Sequence, residues 1–192
     1  ISSAPVSYPG GTEKVILEIS RRFAKNNKVT ILQTTLYDSK KSAEILNKEG
    51  IKIITCKNDL FLGGYGYSAS FVKKLKEIWK DYDVIHIHGY GRFTSDFALK
   101  FLRGKKPIVF TAHGFFHTRK NSFFKKLHYG IKGKLLRNAS ICTALTELEK
   151  KQYLKMGVKD KRIKIIPNGI DIKKFNIKED KKLKRKYAEN KK

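Results

Sequence analysis

Two short apolar runs with the same ending constrain the fold of this chain more than any other feature. They cover residues 84–88 and 107–112, and each leads to a histidine followed by glycine, at His88 and His113. Each run is too short for a helix and rich in β-branched residues, which predicts a buried strand. Apolar residues at helical spacing lie between the runs. The pattern therefore predicts a right-handed crossover unit with two parallel strands.

The ends of these strands predict where a ligand binds. In a parallel sheet the carboxyl ends of the strands face the ligand crevice. His88 and His113 are therefore expected at one rim of the sheet. Further strands are predicted at residues 29–35, 51–56 and 141–145, with a helix from Ser39 to Lys48, and the fold class is α/β: a Rossmann-like parallel sheet with helices on both faces.

A glycine pair near the start of the chain predicts a second ligand-facing element. Gly10, Gly11 and Thr12 stand just before apolar residues at helical spacing. Glycines on a strand-to-helix turn let backbone amides approach a ligand, and the helix amino terminus favours phosphate. The pattern is not GxGxxG, so a plain turn is the alternative.

Composition restricts the class of protein. The 192 residues leave room for one sizeable domain, and the formal charge of +26 favours an anionic partner such as nucleic acid, a lipid surface or phosphorylated substrates. No apolar run is long enough to span a bilayer and no secretory signal is visible, so we expect a cytoplasmic protein. Cys56 and Cys142 lie in apolar runs and are predicted to be buried free thiols.

Two segments leave alternatives open. Residues 58–68 are rich in glycine and aromatic residues, which suits either a loop that closes over an acceptor or aromatic packing on the rim of the sheet. Residues 119–137 carry seven Lys or Arg and no acidic residue. They predict a basic amphipathic helix, which either lies on an anionic membrane or packs with a solvated basic face.

Five motifs in sequence resemble one family, the glycosyltransferases of family 4, which have the two-domain GT-B fold. The motifs cover nearly the whole chain in the family's order. They are Pro9-Gly10-Gly11-Thr12-Glu13, residues 83–88 (DVIHIH), Thr111-Ala112-His113-Gly114, Thr146-Glu147, and residues 166–171 (IPNGID).

The resemblance implies an acceptor-side amino-terminal domain at residues 1–170, with its first strand truncated. Residues 171–192 would be a basic linker to a carboxyl-terminal domain that binds the nucleotide-sugar donor and is absent from this sequence. The family transfers sugars with retention, commonly without a metal, so no cofactor is expected beyond the donor as co-substrate. The acceptor is open, with a lipid-linked one suggested by the basic aromatic segment.

The resemblance also assigns residues. His113 is similar to the family histidine that contacts the donor sugar or supports the oxocarbenium-like centre, and it is the catalytic candidate. The amides of Gly10 and Gly11 would meet the donor diphosphate, and Thr12 and Gly114 are further candidates for substrate binding. Lesser candidates for substrate binding are His88, Thr146 and Asn168.

Two other functions compete with this interpretation. A nucleotide-sugar epimerase shares the two-domain architecture, but the PNG-x-D turn and the Thr-Ala-His-Gly strand end favour transfer. A basic α/β module that binds nucleic acid or a membrane without catalysis would explain the charge. No RNA-recognition, KH, helix-turn-helix or zinc signature is visible, which disfavours nucleic acid.

Overall fold

The structure is a computed structural model that describes residues 1–35, 44–62, 65–115, 130, 133–170 and 172. The helices with full bounds are α1 (Gly11–Phe23), α2 (Ala69–Ile78), α3 (Phe93–Phe101) and α4 (Glu147–Lys155). The strands are β1 (Val29–Thr34), β2 (Glu44–Lys48), β3 (Ile51–Cys56), β4 (Leu60–Leu62), β5 (Tyr65–Tyr67), β6 (Ile85–His88), β7 (Ile108–Thr111), β8 (Ile141–Ala144) and β9 (Ile163–Ile165).

Strands β6, β7, β8 and β9 pair in that order, all parallel, while β1 and β3 pair in parallel beside them. The first residues of the chain connect the two groups. The backbone amide of Ser2 donates to Leu32 O, and the amide of His88 donates to Ile1 O. The predicted parallel sheet is confirmed, and residues 1–2 lie between β1 and β6 at its centre.

Helices cover both faces of the sheet, as the fold class predicted. Ile31 of β1 packs with Ile16 of α1 in one apolar cluster. The next residue, Leu32, packs with Phe71 and Leu75 of α2 in the other cluster. Because consecutive strand residues point to opposite faces, α1 and α2 lie on opposite sides of the sheet.

The predicted helix from Ser39 to Lys48 is wrong in its second half. Residues 44–48 form β2, which pairs antiparallel with β3, and Lys48 is opposite Ile51. Glu49 and Gly50 make the connection with φ values of 53° and 73°. Two consecutive residues with positive φ make a tight hairpin turn whose twist matches the strands. This tertiary pairing overrides the local helical preference; residues 39–43 lie outside the described residues.

The aromatic segment from residue 58 to residue 68 contains a hairpin of β4 and β5. Its aromatic side chains pack on α3: the rings of Tyr65 and Tyr67 meet the ring of Phe93 edge-on, at centroid distances of 6.0 and 4.9 Å. The Tyr65 hydroxyl donates to Asp96 Oδ2 at 2.9 Å. The aromatic side chains of this segment therefore pack against α3.

The structure also bears on the expectations for the two cysteines, the basic segment, the linker and membrane spans. Cys56 and Cys142 are free and buried, as predicted. The proposed basic helix at 119–137 lies mostly outside the described residues; residues 133–136 are helical. The linker expected at 171–192 also lies outside them, apart from Ile172. No helix in the described ranges is long and apolar enough to cross a membrane.

Candidate functional site

A row of polar side chains lies on one face of the sheet near the carboxyl ends of β6, β7 and β8. His86 Nε2 is 2.8 Å from Thr111 Oγ1, and Thr111 is hydrogen-bonded in turn to the hydroxyl of Thr143. The alternate positions on these strands, such as Ile87 and Phe110, point into the apolar core instead. The two-residue period of the strands therefore separates a polar face from an apolar one.

The predicted meeting of the two strand ends is observed. His88 Nδ1 lies 2.9 Å from His113 Nε2, and the planes of the two rings are 23° apart. His113 has φ of 55°, a left-handed conformation that is uncommon outside glycine. Gly114 follows with φ of 99°. This turn at the end of β7 directs the His113 ring back towards β6, where it contacts the ring of His88.

Burial keeps this histidine group neutral. It lowers the pKa of His86 from 6.5 to about 3. Burial lowers the pKa of His113 to about 4, and that of His88 also lies well below its usual value. Since a neutral imidazole has one donor and one acceptor nitrogen, the His88–His113 bond couples the tautomers of the two rings.

Tyr153 of α4 supports the His113 turn from below. Its side chain is fully buried, and its hydroxyl accepts a hydrogen bond of 3.0 Å from the backbone amide of Ala112. The same hydroxyl donates to Thr143 O at 3.3 Å. The ring is held edge-on against Phe115. Tyr153 therefore clamps β7 to β8 at the residue before His113.

Thr146 and Asn168 occupy different surroundings. Thr146 is exposed and caps α4, where its hydroxyl accepts from the amide of Glu149 at 3.2 Å. The Glu149 carboxylate reaches back and accepts from the amide of Leu145 at 2.6 Å. This reciprocal cap gives Thr146 a structural role in the described chain. Asn168 is exposed in the extended segment after β9 and is not part of the histidine group.

The glycine pair lies where the sequence predicted, at the start of α1. Gly10 is the residue before the first turn, with no side-chain cap, and Gly11 and Thr12 begin the helix. A Cβ on Gly10 would lie 1.9 Å from Glu13 Oε2, so a carboxylate already rests against this amino terminus. Residues 1–2 run parallel to β1 and β6 between them, and the chain then leaves the sheet at its carboxyl edge. Helix α1 therefore starts at the same edge of the sheet as His88.

The arrangement suits contact with a polar ligand without acid–base exchange at neutral pH. The bond to His88 uses Nε2 of His113 and leaves Nδ1 as its other polar atom. Among the described residues, no group of three His, Cys, Asp or Glu side chains is arranged to hold a metal ion.

The fold is similar to that of solved GT-B glycosyltransferases, of which this chain covers about half. Anabaena HepE in complex with UDP is similar over 97% of this chain and 49% of its own, with a TM-score of 0.63 and 18% identity. An E. coli structure described as "Trehalose-6-phosphate" bound with UDP-2-fluoro glucose has a TM-score of 0.63 at 16% identity, covering 98% of this chain and 53% of its own.

The sequence comparisons identify the family. The model of Glycosyltransferase Family 4 matches residues 9–174, so the chain belongs to this family. Two curated relatives have the same name, GDP-mannose:cellobiosyl-diphosphopolyprenol alpha-mannosyltransferase. The relative from Xanthomonas campestris is 28% identical over 175 residues, and that from Xanthomonas oryzae pv. oryzae is 25% identical over 169. In each case the match covers 86% of this chain and 44% of the relative, so the chain spans about half their length.

Sequence reasoning missed two members of the site. They are Tyr153, and Thr143, which the sequence places only in the predicted strand at residues 141–145. Thr143 could have been found from the sequence. Polar residues recur at a spacing of two on the neighbouring strands, at His86 and His88 and at Thr111 and His113, and Thr143 is the corresponding polar residue of the next predicted strand. Nothing in the sequence indicates that the hydroxyl of Tyr153 reaches the backbone before His113.

Proposed function

We propose that this chain is the acceptor-side half of a retaining glycosyltransferase, which transfers a sugar from a nucleotide-sugar donor to a lipid-linked or glycan acceptor. The observation that carries the proposal is the His88–His113 pair at the carboxyl edge of a sheet whose residues belong to family 4. The names of the Xanthomonas relatives support GDP-mannose as the first donor to test and a sugar on a diphosphopolyprenol as the first acceptor.

His113 is proposed to contact the donor sugar as a neutral group. In the reaction the bond from the anomeric carbon to the donor diphosphate breaks, a bond to an acceptor oxygen forms, and the hydroxyl proton leaves with the nucleotide diphosphate. Positive charge develops on the sugar ring as the first bond lengthens. Because burial lowers the pKa of His113 to about 4, the imidazole adds no positive charge beside that centre.

The backbone around His113 supplies its position in this scheme. The left-handed φ of His113 and the clamp by Tyr153 fix the turn before any ligand binds. Preorganised dipoles stabilise developing charge without reorganisation at the moment of reaction. The amides of Gly10 and Gly11 at the start of α1 are proposed to help meet the diphosphate, together with groups outside this chain.

The test is a transfer assay on the full-length protein that contains this chain. GDP-, UDP- and ADP-sugars serve as donors and a membrane extract as acceptor. We expect incorporation of labelled sugar into lipid or glycan, and His113→Ala is expected to reduce turnover by about a hundredfold or more. Thr30→Val, at the opposite end of the sheet, is the control and should retain turnover. Turnover of His113→Ala within a few-fold of wild type would remove His113 from the proposed mechanism, and no transfer from any donor would overturn the function itself.

A further inference from the structure

His88 is the more enclosed member of the histidine pair. It is 5% exposed, whereas His113 is only partly buried. The Ser95 hydroxyl donates a hydrogen bond of 3.2 Å to the carbonyl oxygen of His88, and the ring of His88 lies 3.9 Å from the ring of His86, measured between centroids. A side chain enclosed in this way has little surface left for a substrate. Its route to the reacting groups is therefore the residue that it contacts, His113.

The hydrogen bond between the two rings allows two arrangements of protons. His88 Nδ1 and His113 Nε2 are 2.9 Å apart. Because burial lowers the pKa of both residues, each ring is neutral at neutral pH and carries one proton on one of its two nitrogens. In the first arrangement His113 donates from Nε2, and both rings are then protonated at Nε2. In the second, His88 donates from Nδ1, and both rings are then protonated at Nδ1.

The chemistry of imidazole favours the first arrangement. The two ring nitrogens of histidine are distinct, and in the free neutral side chain the proton resides on Nε2 more often than on Nδ1. The first arrangement gives both rings this preferred form, whereas the second places both rings in the disfavoured form. The favoured arrangement leaves Nδ1 of His113 with an unshared electron pair, which can only accept a hydrogen bond.

We propose that His88 is a positioning residue, which accepts the Nε2 proton of His113 and so fixes Nδ1 of His113 as the acceptor for a hydroxyl of the donor sugar. The inference rests on the proposed function and specifies its contact, because an unprotonated Nδ1 pairs with a hydroxyl and not with a phosphate or ether oxygen. An electron pair held beside the positive charge that develops on the sugar also stabilises the transition state.

The first test is the ring spectrum of the 192-residue chain, labelled with nitrogen-15 at histidine and measured at neutral pH without ligand. We expect resonances of unprotonated Nδ1 and protonated Nε2 for both His88 and His113. We also expect a scalar coupling between His88 Nδ1 and His113 Nε2 across the hydrogen bond. Protonated Nδ1 in either ring, or the absence of the coupling, would overturn the proposal.

Variants of His88 separate positioning from packing. His88→Leu removes the acceptor, so the His113 nitrogens should shift to values averaged between the two protonated forms. His88→Asn supplies a side-chain oxygen as acceptor and should restore the single form. Thr111→Val is the matched control, because it removes a hydrogen bond to His86 on the same face of the sheet and should leave the His113 spectrum unchanged. Wild-type ring shifts of His113 in His88→Leu would mean that the backbone alone sets its protonated form, contrary to the proposal.

The kinetic test uses the full-length protein that contains this chain. His88→Leu should lower kcat/KM by about tenfold, the equivalent of roughly one hydrogen bond, and His88→Asn should recover most of that loss. Equal kcat/KM for wild type and His88→Leu would remove the positioning role.

Analogues of the nucleotide-sugar donor test the hydroxyl contact. Each sugar hydroxyl is replaced in turn by fluorine, which cannot donate a hydrogen bond. At one position the replacement should slow wild type more than it slows His88→Leu; equal ratios at every position would contradict the contact. A wild-type protein that transfers from no donor would overturn the proposed function instead, whereas the ring spectra decide the proton positions without any donor.

Discussion

The first and the last strands of the four-stranded parallel sheet, β6 and β9, end very differently. At the end of β6, His88 is only 5% exposed and is bonded to His113 of the neighbouring strand end. After β9, Ile166 and Ile170 are 56% and 73% exposed, and Asn168 between them is exposed as well. One strand end is closed by packing within the described chain, and the other presents apolar side chains to solvent.

The difference shows what sequence motifs do and do not specify. The His-Gly and Pro-Asn-Gly stretches both mark strand ends in the sequence. Among the described residues, a side-chain bond to a neighbouring strand end is found at His88 and not at residues 167–169, which are exposed. The position of His113 depends on β6, β8 and α4 together. A motif therefore indicates where a functional group lies along the chain, while its rigidity depends on packing from residues far away in sequence.

The comparison is tested most strongly by truncating one apolar side chain at each end. We call the carboxyl ends of β6 and β7, with His88 and His113, the histidine edge. Phe110 is fully buried in the strand that leads to it, and Phe110→Ala is expected to lower the free energy of unfolding by about 3–5 kcal/mol. Ile170→Ala removes a side chain that is 73% exposed and should change it by less than about 0.5 kcal/mol. Urea unfolding monitored by circular dichroism measures both. Similar losses for the two variants would show that residues 166–170 are packed, contrary to the structure.

The contrast also explains how far the sequence alone could lead. Strands β6 and β7, helix α3 and the meeting of His88 with His113 were all predicted, because periodicity and parallel-strand geometry are local rules. The helix expected at 39–48 was wrong over residues 44–48, because antiparallel pairing with β3 and the Glu49-Gly50 turn determine that segment. The clamp by Tyr153 could not be predicted, because it joins a helix to a strand across 41 positions of sequence.

A second prediction concerns pH, since the three histidines of the described residues, His86, His88 and His113, all lie near the carboxyl ends of β6 and β7. In the folded state their pKa values lie below 6.5, at about 3 for His86 and about 4 for His113. Below pH 6.5 the unfolded chain therefore binds more protons than the folded one, and stability must fall as the pH decreases from 6.5 towards 4. The slope is at most about 1.4 kcal/mol per pH unit for each neutral histidine.

Urea unfolding at a series of pH values measures this slope. Carboxylates also titrate near the lower limit, so His113→Gln is the variant that isolates the histidine contribution. It should show a shallower dependence on pH than wild type between 6.5 and about 4. A wild-type stability that does not change across this window would mean that the histidines are solvated, and the contrast with the exposed strand end would be lost.

The smallest expected effect tests whether the histidine edge is held by one hydroxyl. Tyr153→Phe keeps the buried ring but leaves the amide of Ala112 without its bond of 3.0 Å. We expect a loss of about 1–2 kcal/mol in the free energy of unfolding, because a buried amide is left unpaired. A matched control is Tyr67→Phe, whose side chain is 44% exposed and which should leave stability within about 0.5 kcal/mol of wild type.

Beyond stability, Tyr153→Phe should shift the ring resonances of His113, since the turn before it is released. If those resonances stay unchanged while stability falls, Tyr153 supports the core only, and His113 is positioned by its left-handed backbone and by His88.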